Sequence, residues 1–435
     1  MDSSSLLLYA LPLAIVMGVY FLRQQRTHAR HRHALEESIA AGLTEPASLH
    51  PLIDQSRCLG CGACVKACPE YPAHTILGLI DGKAALVNPT QCIGHGACRD
   101  VCPFDAITLV FGTQKRGVDI PVLKPNFESN VSGVFIAGEL GGMGLIRNAL
   151  MQGRQALEAI AKSARRHEGA YDVLIIGAGP AGLAASLAAK QLGLNYRTLE
   201  QESLGGAVFQ YPRGKLVMTS PVELPIIGTV QFRNTTKEEL LKFWTEACNG
   251  HGLSIHYRER VESIVRKDRA FVVKSTAGEH TAAAVLLAIG RRGTPRKLGV
   301  PGEDLPKVVY RLIDPEQYRG QDVVVVGGGD SALEAAASIA ELGDTRVVLS
   351  YRGDAFQRAK PRNRERVHRA AESGQLKVML GSQISEIRPS EVLLQHAGRP
   401  LKISNHAVIV NAGGILPNDF LRSIGIEVET KYGTA

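Results

Sequence analysis

The sequence is poor in aromatic residues, and outside one short window it is almost free of cysteine. Aromatic residues make up 5% of the 435 positions, and tryptophan occurs once. The net charge of +8 therefore comes without the stacking platform that nucleic-acid-binding proteins use, and we expect no nucleic-acid partner. Seven of the eight cysteines lie between positions 58 and 102, and Cys248 stands alone. This distribution argues against a disulfide framework and favours a reducing compartment.

The cysteine window contains two copies of one pattern. The first copy is Cys58, Cys61, Cys64 and Cys68 followed by Pro69, and the second is Cys92, His95, Cys98 and Cys102 followed by Pro103. Three thiolates on one tight loop can cap three irons of a cubane, while the distant cysteine before proline ligates the other cluster. The spacing therefore predicts two iron-sulfur clusters of the 4Fe-4S type. The predicted ligands are Cys58, Cys61, Cys64 and Cys102 for the first cluster, and Cys92, Cys98, Cys68 and His95 for the second.

His95 is the position at which the two copies differ. It can ligate iron through a ring nitrogen, leave a 3Fe-4S cluster with an empty corner, or stand beside a cluster completed by water. A neutral imidazole in place of a thiolate raises the reduction potential, so we expect the second cluster to be the easier one to reduce. For the whole array, the alternative is a pair of zinc knuckles, although zinc sites favour two separated cysteine pairs.

An uncharged apolar run occupies positions 6–22, and its length is near the lower limit for crossing a bilayer core as a helix. The basic residues that follow it are Arg23, Arg26, Arg30 and Arg32, and no Lys or Arg precedes it. A cleaved signal peptide would need a basic start and a small-residue cleavage site. We therefore expect a single-pass helix in the cell (inner) membrane, with the catalytic domains on the cytoplasmic side.

Two glycine motifs follow buried strands. The first consists of Gly177, Ala178, Gly179, Pro180, Ala181 and Gly182, and the next strand ends at Glu200. In such a motif the first glycine permits a tight turn, the second lets the backbone approach a pyrophosphate, and the third allows close helix-strand packing. Glu200 is the acidic partner expected for ribose hydroxyls. The motif therefore predicts a dinucleotide site.

The second motif contains Gly327, Gly329, Asp330, Ser331 and Ala332. Its second strand, 346–350, ends without the acidic residue that would repel a 2'-phosphate, and Arg352 and Arg358 are placed to attract one. This pattern favours NADPH over NADH. Ordinary surface charge is the alternative explanation of the two arginines.

Residues from about 170 to 435 resemble the low-molecular-weight thioredoxin-reductase-like flavoproteins, including the ferredoxin-NADP reductases built on the same plan. The matching segments are 177–182 with Glu200, 204–206, 211–212, 288–290, 300–304 and 327–332. The resemblance implies that the first fold holds FAD, with Gly205 and Gly206 near the flavin and Gly290 among the cofactor-binding residues. It also implies that the second fold, inserted in the first, holds NAD(P)H.

That family closes its FAD domain with a late strand, a Gly-Asp pair and a final helix, and this chain ends too early to contain them. Positions 133–139 and 146–161 have the required pattern upstream, with Gly138 and Glu139 in place of the Gly-Asp pair. We expect a circular permutation in which residues 117–166 complete the FAD domain, with the Glu139 carboxylate and a helix amino terminus beside the ribityl and pyrophosphate groups. The alternative is that 117–166 is only a linker strand and helix.

The predicted fold class is α/β, with two nested Rossmann-like dinucleotide-binding domains in three layers, a small α+β two-cluster ferredoxin domain and an N-terminal transmembrane helix. The expected divisions are an anchor and basic linker (1–45), the ferredoxin-like domain (46–115), the permuted closing segment (117–166), the FAD domain (167–312), the NAD(P)H domain (313–402) and the return to the FAD domain (403–435).

No Cys-x-x-Cys precedes the second glycine motif, so disulfide reduction is poorly supported. We assign no catalytic residue, because hydride transfer to flavin needs positioning and electrostatic tuning rather than an acid-base pair. We expect a membrane-tethered NAD(P)H oxidoreductase that passes electrons between NAD(P)H, FAD and two clusters, to or from a ferredoxin, a quinone or a membrane cytochrome. The alternatives are a redox-sensing or iron-sulfur-binding scaffold without turnover, and a flavin-dependent disulfide reductase or monooxygenase. The direction of flow is open, and a homodimer is one option for the assembly.

Overall fold

The structure is a computed structural model. It describes residues 3–40, 43–44, 46, 49–72, 75–92, 94–114, 117–142, 144–163, 170–211, 213, 216–217, 222–231, 235–291, 293–356 and 359–433, without the side chains of 3–10, 13, 216 and 294. The chain divides into two compact units, Met1–Lys115 with Gly433–Ala435, and Arg116–Tyr432.

The first unit is built from short elements around the cysteine window. Its elements are α1 (Ser3–Ala40), β1 (His50–Ile53), α2 (Ala63–Ala67), β2 (Leu77–Ile80), β3 (Lys83–Leu86), α3 (Ala97–Asp100) and β4 (Ile107–Val110). β1 pairs antiparallel with β4, and β2 pairs antiparallel with β3. The sequence repeat is also a structural one, because α2 follows Gly62 at φ 73° and α3 follows Gly96 at φ 82°. Glycine adopts this left-handed conformation without strain.

Helix α1 carries the apolar run and the arginines in one continuous 38-residue helix. Large apolar side chains from Leu11 to Leu22 are exposed. Among the described residues, no helix is long and apolar enough to cross a membrane. The predicted transmembrane helix over 6–22 is therefore not confirmed.

The last turns of α1 pack on the β2–β3 hairpin. The Leu79 backbone N–H donates to His31 Nδ1 at 2.9 Å, Arg32 forms an ion pair with Asp81, and Ser38 Oγ donates to Asn88 Oδ1 at 2.9 Å. Burial lowers the pKa of His31, which keeps its Nδ1 available as an acceptor at neutral pH. The helix is thus an integral part of the first unit.

The second unit begins with a sheet of parallel and antiparallel strands. Its elements are β5 (Val118–Pro121), β6 (Val134–Ile136), α4 (Ile146–Ser163), β7 (Tyr171–Ile176), α5 (Pro180–Gln191), β8 (Tyr196–Glu200), β9 (Leu216–Val217), β10 (Val222–Leu224), β11 (Gly228–Val230), β12 (Thr235–Thr236), α6 (Lys237–Gly250), β13 (Ile255–Tyr257), β14 (Val261–Lys267), β15 (Ala270–Ser275), β16 (Gly278–Leu287) and β17 (Thr294–Pro295). The main sheet has the order β13-β8-β7-β16-β15-β14, and β6 pairs with β16. β7 is an almost fully buried apolar run, as expected for a parallel strand covered on both faces.

The segment before the first glycine motif belongs to this sheet. β6 pairs in parallel with Val285–Leu287 of β16, and the same three residues pair with β7 on their other side. α4 packs on α5 so closely that a Cβ at Gly153 would lie 2.0 Å from the Ala181 carbonyl oxygen. A strand and a helix from positions 134–163 therefore complete the core around β7 and α5.

A buried carboxylate supports the antiparallel part of the same sheet. Ser275 Oγ donates to Glu259 Oε1 at 2.6 Å, and His280 Nε2 lies 2.6 Å from the same oxygen. Burial on its own would raise the pKa of Glu259, but the hydrogen bonds from Ser275 and His280 outweigh it and lower the pKa. The carboxylate is therefore held in its charged form.

The rest of the second unit contains a second parallel sheet. Its elements are β18 (Val308–Val309), β19 (Asp322–Val326), α7 (Asp330–Ala340), β20 (Arg346–Ser350), α8 (Pro361–Glu372), β21 (Leu376–Met379), β22 (Ser382–Ile387), β23 (Glu391–His396), β24 (Arg399–Ser404), β25 (Ala407–Val410), β26 (Gly414–Ile415), α9 (Asn418–Ser423) and β27 (Val428–Lys431). The parallel order is β18-β25-β19-β20-β21, and β22, β23 and β24 form an antiparallel meander. β17, which precedes the second sheet in the sequence, pairs with β26, which follows it. The two connections between the sheets therefore lie side by side. The two dinucleotide-type folds are nested.

Candidate functional sites

The first glycine motif forms a tight turn between β7 and α5. Gly177 has φ 103°, and a Cβ there would lie 2.6 Å from the Ala288 carbonyl oxygen. A Cβ at Gly182 would lie 1.8 Å from the Gly177 carbonyl oxygen, so α5 can approach β7 only because that position is glycine. At Gly179 the nearest described atom to a Cβ would be Gly206 Cα at 3.9 Å. The space in front of Gly179 is thus an open cradle at the amino terminus of α5, which suits a pyrophosphate.

The Glu200 carboxylate lies beside this cradle at the end of β8. It accepts hydrogen bonds from the Ala178 backbone N–H at 2.7 Å and from the Glu202 backbone N–H at 2.8 Å. Burial raises its pKa. Each oxygen keeps a further lone pair with which to bind a ribose hydroxyl. The structure therefore brings together the predicted acidic residue and the glycine turn.

The segment that contains Gly205 and Gly206 closes the other side of the cradle. The Gly205 backbone N–H donates to the Ala178 carbonyl oxygen at 2.9 Å. Gly205 has φ 104° and Gly206 has φ 52°, and a Cβ at Gly206 would lie 3.1 Å from Gly179 Cα. Gly290 follows β16 at φ 66° with no described atom within 4 Å of a Cβ. All three predicted glycines therefore occupy positions that a larger residue would strain.

Gly138 and Glu139 follow β6 at the same carboxyl edge of the sheet. Gly138 has φ 84°, and a Cβ there would lie 3.0 Å from the Ala181 Cβ. Glu139 begins the short 3-10 helix Glu139–Gly141. Ligands of such sheets bind at the carboxyl ends of the parallel strands. The position of Glu139 thus fits the predicted contact with a ribityl or pyrophosphate group.

Sequence reasoning missed two side chains near this edge. Gln152 Oε1 accepts from the Gly138 backbone N–H at 2.9 Å, and Arg291 Nη2 donates to the Asp119 carbonyl oxygen at 2.7 Å. Burial lowers the pKa of Arg291, while Glu139 and Asp119 oppose that change. These contacts join residues that are distant in the chain, and no sequence pattern marks them.

The second glycine motif forms a similar turn between β19 and α7. Gly327 has φ 140°, and a Cβ there would lie 2.4 Å from the Asn411 carbonyl oxygen. A Cβ at Gly329 would meet no described atom within 4 Å, so a second cradle opens at the start of α7. Ala332 is fully buried, while Ser331 is exposed. The Asp330 carboxylate accepts from the Lys360 backbone N–H at 2.7 Å.

The two arginines predicted to bind a 2'-phosphate have different outcomes. Arg352 is exposed just beyond the end of β20, where an adenosine ribose lies in this type of fold. Arg358 lies outside the described residues. β20 itself ends at Ser350, whose hydroxyl contacts the Ser382 hydroxyl at 2.7 Å. The 2'-phosphate interaction stays a prediction.

In the first unit, the four cysteines of the first predicted set line one cavity. The cavity is partly open to solvent and is lined by Cys58, Leu59, Gly60, Cys61, Gly62, Ala63, Cys64, Ala84, Cys102, Phe104, Ala106 and Ile107. Backbone N–H groups point at the sulfurs: Ala84 donates to Cys58 Sγ at 3.3 Å and Ala106 donates to Cys102 Sγ at 3.4 Å. Four thiols around one cavity, with N–H donors to sulfur, fit an iron-sulfur cluster.

The thiols of the second predicted set are buried near one another. Burial raises the pKa of Cys98 to about 11, and the neighbouring Cys92 and Cys68 add to that rise. His95 Nε2 is buried without a hydrogen-bond partner in the described part of the chain, and burial lowers the pKa of its ring. A neutral imidazole with an unused nitrogen fits iron ligation. Among the described residues, no three His, Cys, Asp or Glu side chains are arranged to hold a single metal ion.

Cys248, the cysteine outside both copies of the pattern, is buried in α6. Burial raises its pKa to about 11, and it packs in the apolar cluster that contains Leu240 and Trp244. It is an inert structural thiol.

The chain is similar to known proteins over two separate stretches. Residues 174–434 match the model of the pyridine nucleotide-disulphide oxidoreductase family, and residues 50–103 match that of the 4Fe-4S dicluster domain. A ferredoxin-NADP reductase of Ignicoccus hospitalis is 32% identical over 270 residues, which are 60% of this chain and 83% of the relative. A bacilliredoxin reductase of Bacillus subtilis is 28% identical over 267 residues, which are 60% of this chain and 82% of the relative.

Among solved structures, the bacillithiol disulfide reductase of Bacillus cereus is 27% identical, with a TM-score of 0.53, and the match covers 59% of this chain and 81% of that one. The corresponding enzyme of Staphylococcus aureus is 25% identical at the same TM-score, and the match covers 59% of this chain and 80% of that one. The family match spans more than half of the chain and includes both glycine motifs. The chain thus belongs to the pyridine nucleotide-disulphide oxidoreductase family, and it is a flavin-dependent NAD(P)H oxidoreductase that carries a 4Fe-4S domain.

Proposed function

We propose that the chain passes electrons between NAD(P)H, FAD and two 4Fe-4S clusters, to or from a redox partner. FAD supplies the conversion between a hydride pair and single electrons, which iron-sulfur clusters carry one at a time. The observation that carries the proposal is that one chain holds two open dinucleotide cradles, at Gly179 and Gly329, together with a cavity lined by four cysteines. A relative named ferredoxin-NADP reductase adds support.

The residues that would hold FAD are Gly179, Glu200, Gly205, Gly206 and Glu139. Gly179 and the amino terminus of α5 would bind the pyrophosphate, Glu200 a ribose, and Glu139 the ribityl side. This arrangement supports the further proposal that residues 117–166 are a permuted closing segment. The matches to the two curated relatives cover 82% and 83% of their lengths. An uncovered remainder is expected if part of the FAD domain lies elsewhere in this chain.

The two-cluster arrangement is part of the same proposal. The first cluster would be held by Cys58, Cys61, Cys64 and Cys102. The second would be held by Cys68, Cys92 and Cys98, with His95 Nε2 as the fourth ligand. The buried, unpaired state of that nitrogen supports ligation over a cluster completed by water.

We propose NADPH as the preferred nucleotide, because β20 ends without an acid and Arg352 stands exposed beyond it. We also propose that α1 attaches the protein to a membrane on its cytoplasmic face. Its exposed apolar side chains between Leu11 and Leu22 and the arginines that follow suit an anionic bilayer surface. The partner would then be a ferredoxin, a quinone or a membrane cytochrome.

One anaerobic experiment tests the central proposal. The full chain is loaded with iron, sulfide and FAD, and it is titrated with NADPH and, separately, with NADH. Visible absorption and paramagnetic resonance follow the flavin and the clusters. We expect reduction of both kinds of centre, with NADPH effective at lower concentration. The proposal would be refuted if the clusters stayed oxidised both under excess NADPH and under excess NADH.

Disulfide reduction is the second candidate, because the two similar solved structures are named bacillithiol disulfide reductase. It predicts that protein stripped of iron and sulfide still reduces a low-molecular-weight disulfide with NADPH. A redox-sensing scaffold predicts neither activity. Membrane attachment is tested separately by flotation with phosphatidylglycerol vesicles, with a chain that starts after residue 22 as the control.

A further inference from the structure

Helix α8 carries a basic run, and one arginine in it differs from the others. Arg364 Nη1 is buried without a hydrogen-bond partner in the described part of the chain. Arg366, two residues on, has acceptors: its Nε and Nη2 donate to Glu341 at 2.9 and 2.6 Å, and Nη2 also donates to Ser338 Oγ at 3.1 Å. Arg362 and Arg369 are exposed. Within α8, Arg364 is the arginine whose desolvated guanidinium nitrogen meets no acceptor among the described residues.

A buried guanidinium donor without an acceptor is unfavourable, since its hydration is lost and not replaced. Such a nitrogen indicates that an acceptor is supplied by something that binds. Because the guanidinium is positively charged and its donors form a planar fork, the matching ligand group is a carboxylate or a phosphate.

The position of Arg364 narrows this choice. Burial lowers its pKa, and the acidic side chain that opposes this most is Asp330, the first residue of α7. The Asp330 carboxylate accepts from the Lys360 backbone N–H at 2.7 Å and from Asn363 Nδ2 at 2.8 Å. The amino-terminal ends of α7 and α8 are therefore joined at Asp330, next to Gly329 and at the carboxyl edge of β19 and β20.

This is the edge at which the adenosine half of a dinucleotide binds. The end of β20 provides no carboxylate to accept the ribose hydroxyls. Two helix amino termini also favour an anion there.

We propose that Arg364 Nη1 binds the 2'-phosphate of NADPH and is a specificity-determining residue for NADPH over NADH. The inference rests on the proposed function, and it extends that function to a residue outside the sequence motif. Arg352 then supplies an exposed contact, while Arg364 supplies the buried one. Because the donor is already desolvated, NADH would leave it unpaired, whereas NADPH would satisfy it.

The test uses the full chain and its Arg364→Gln, Arg364→Lys and Arg362→Gln variants. The probes are 2',5'-ADP and 5'-AMP, which differ only in the 2'-phosphate, and their binding is measured by calorimetry. For Arg364→Gln we expect an affinity for 2',5'-ADP that is weaker by roughly 10- to 100-fold, as is typical for loss of a charge-assisted hydrogen bond. Its affinity for 5'-AMP should stay within about twofold of the original. Arg364→Lys keeps the charge but loses the fork, so an intermediate loss is expected. Arg362→Gln, on the exposed side of the same helix, should change neither affinity.

Equal weakening of both probes in Arg364→Gln and Arg364→Lys would show a structural role and overturn the inference, as would unchanged affinity for 2',5'-ADP. If Arg364→Gln does not fold, the comparison of Arg364→Lys with Arg362→Gln decides. The inference and the proposed function fail separately. Arg364-dependent binding of 2',5'-ADP without reduction of flavin by NADPH would refute only the proposed function, and reduction by NADPH without that dependence would refute only the inference.

Discussion

Substitution of Gly153 by alanine tests whether the segment before the first glycine motif completes the flavin domain. In an open helix, Gly→Ala stabilises the protein by about 1 kcal/mol. At Gly153, however, the new Cβ would lie 2.0 Å from the Ala181 carbonyl oxygen and 2.8 Å from its carbonyl carbon. Both are backbone atoms of α5, so a rotamer change cannot relieve the overlap. We therefore expect the sign of the effect to be reversed.

The magnitude follows from the two opposing contributions. Overpacking of a core costs about 1–3 kcal/mol, which exceeds the gain of about 1 kcal/mol in helix propensity. The net loss in the free energy of unfolding is therefore up to about 2 kcal/mol. For a domain of a few hundred residues, this corresponds to a fall in Tm of up to roughly 8 °C. Because Ala181 directly follows the Gly179 cradle, FAD affinity should fall as well.

The assay is thermal release of FAD, followed by its fluorescence, together with the Kd for FAD of the apoprotein. Gly250→Ala is the matched control, because Gly250 ends α6 and no described atom lies within 4 Å of a Cβ there. We expect that control to have an unchanged or slightly higher Tm. If Gly153→Ala also raises Tm, α4 does not pack on α5, and residues 117–166 are better described as a linker.

Three further outcomes are expected. Cys102→Ser should remove the first cluster and about half of the bound iron, whereas Cys248→Ser should leave iron content unchanged, as measured by colorimetric iron analysis. Lys83 Nζ donates to the Cys58 carbonyl oxygen at 2.5 Å, so Lys83→Met should lower the reduction potential of the first cluster by an amount on the order of 40–90 mV in a paramagnetic-resonance titration; an unchanged potential would contradict this. Glu259→Gln should lower the free energy of unfolding by about 1–3 kcal/mol at neutral pH. The folded-state pKa of Glu259 is lowered, so the contribution of its carboxylate to the free energy of unfolding is fully present above the ordinary pKa of 4.5. That contribution is lost as the pH falls through the lowered pKa. The thermal-unfolding curves of the variant and the original protein should therefore converge in acid.

The parts of the sites that depend on local chain geometry were predictable from the sequence. Gly177 and Gly327 adopt the positive φ that their own turns require, and Gly182 lies against Gly177 of the same turn. Such turns have a recognisable residue pattern. Cysteine spacing likewise determines which thiols share a loop. Glu200 could be placed because it ends the strand that follows the helix of the first motif.

The parts that depend on contacts between distant segments could not be predicted in this way. The sequence around Gly153 indicates only the interior of a helix, and its contact with α5 is seen only in the structure. Arg291 likewise has no motif that links it to Asp119. Arg364 lies among several arginines of similar appearance, and only the packing of α8 shows which one keeps an unpaired nitrogen. The membrane span predicted over 6–22 is a separate matter. The described residues of α1 do not confirm it.

The order of the segments explains why α4 carries so much of the stability of the closing segment. Parallel pairing depends on which strands lie side by side, and it does not depend on the direction from which the chain arrives. β6 can therefore join β16 although it precedes β7 in the sequence. The ladder is short, however, since it spans only Val285 to Leu287 of β16, and so short a ladder would hold the strand weakly. The burial of Ala156, Leu157 and Ile160 of α4 and the close approach at Gly153 provide the larger apolar contact. If the domain is permuted, as we propose, the α4–α5 contact rather than the β6 ladder is what keeps Glu139 at the edge of the cradle.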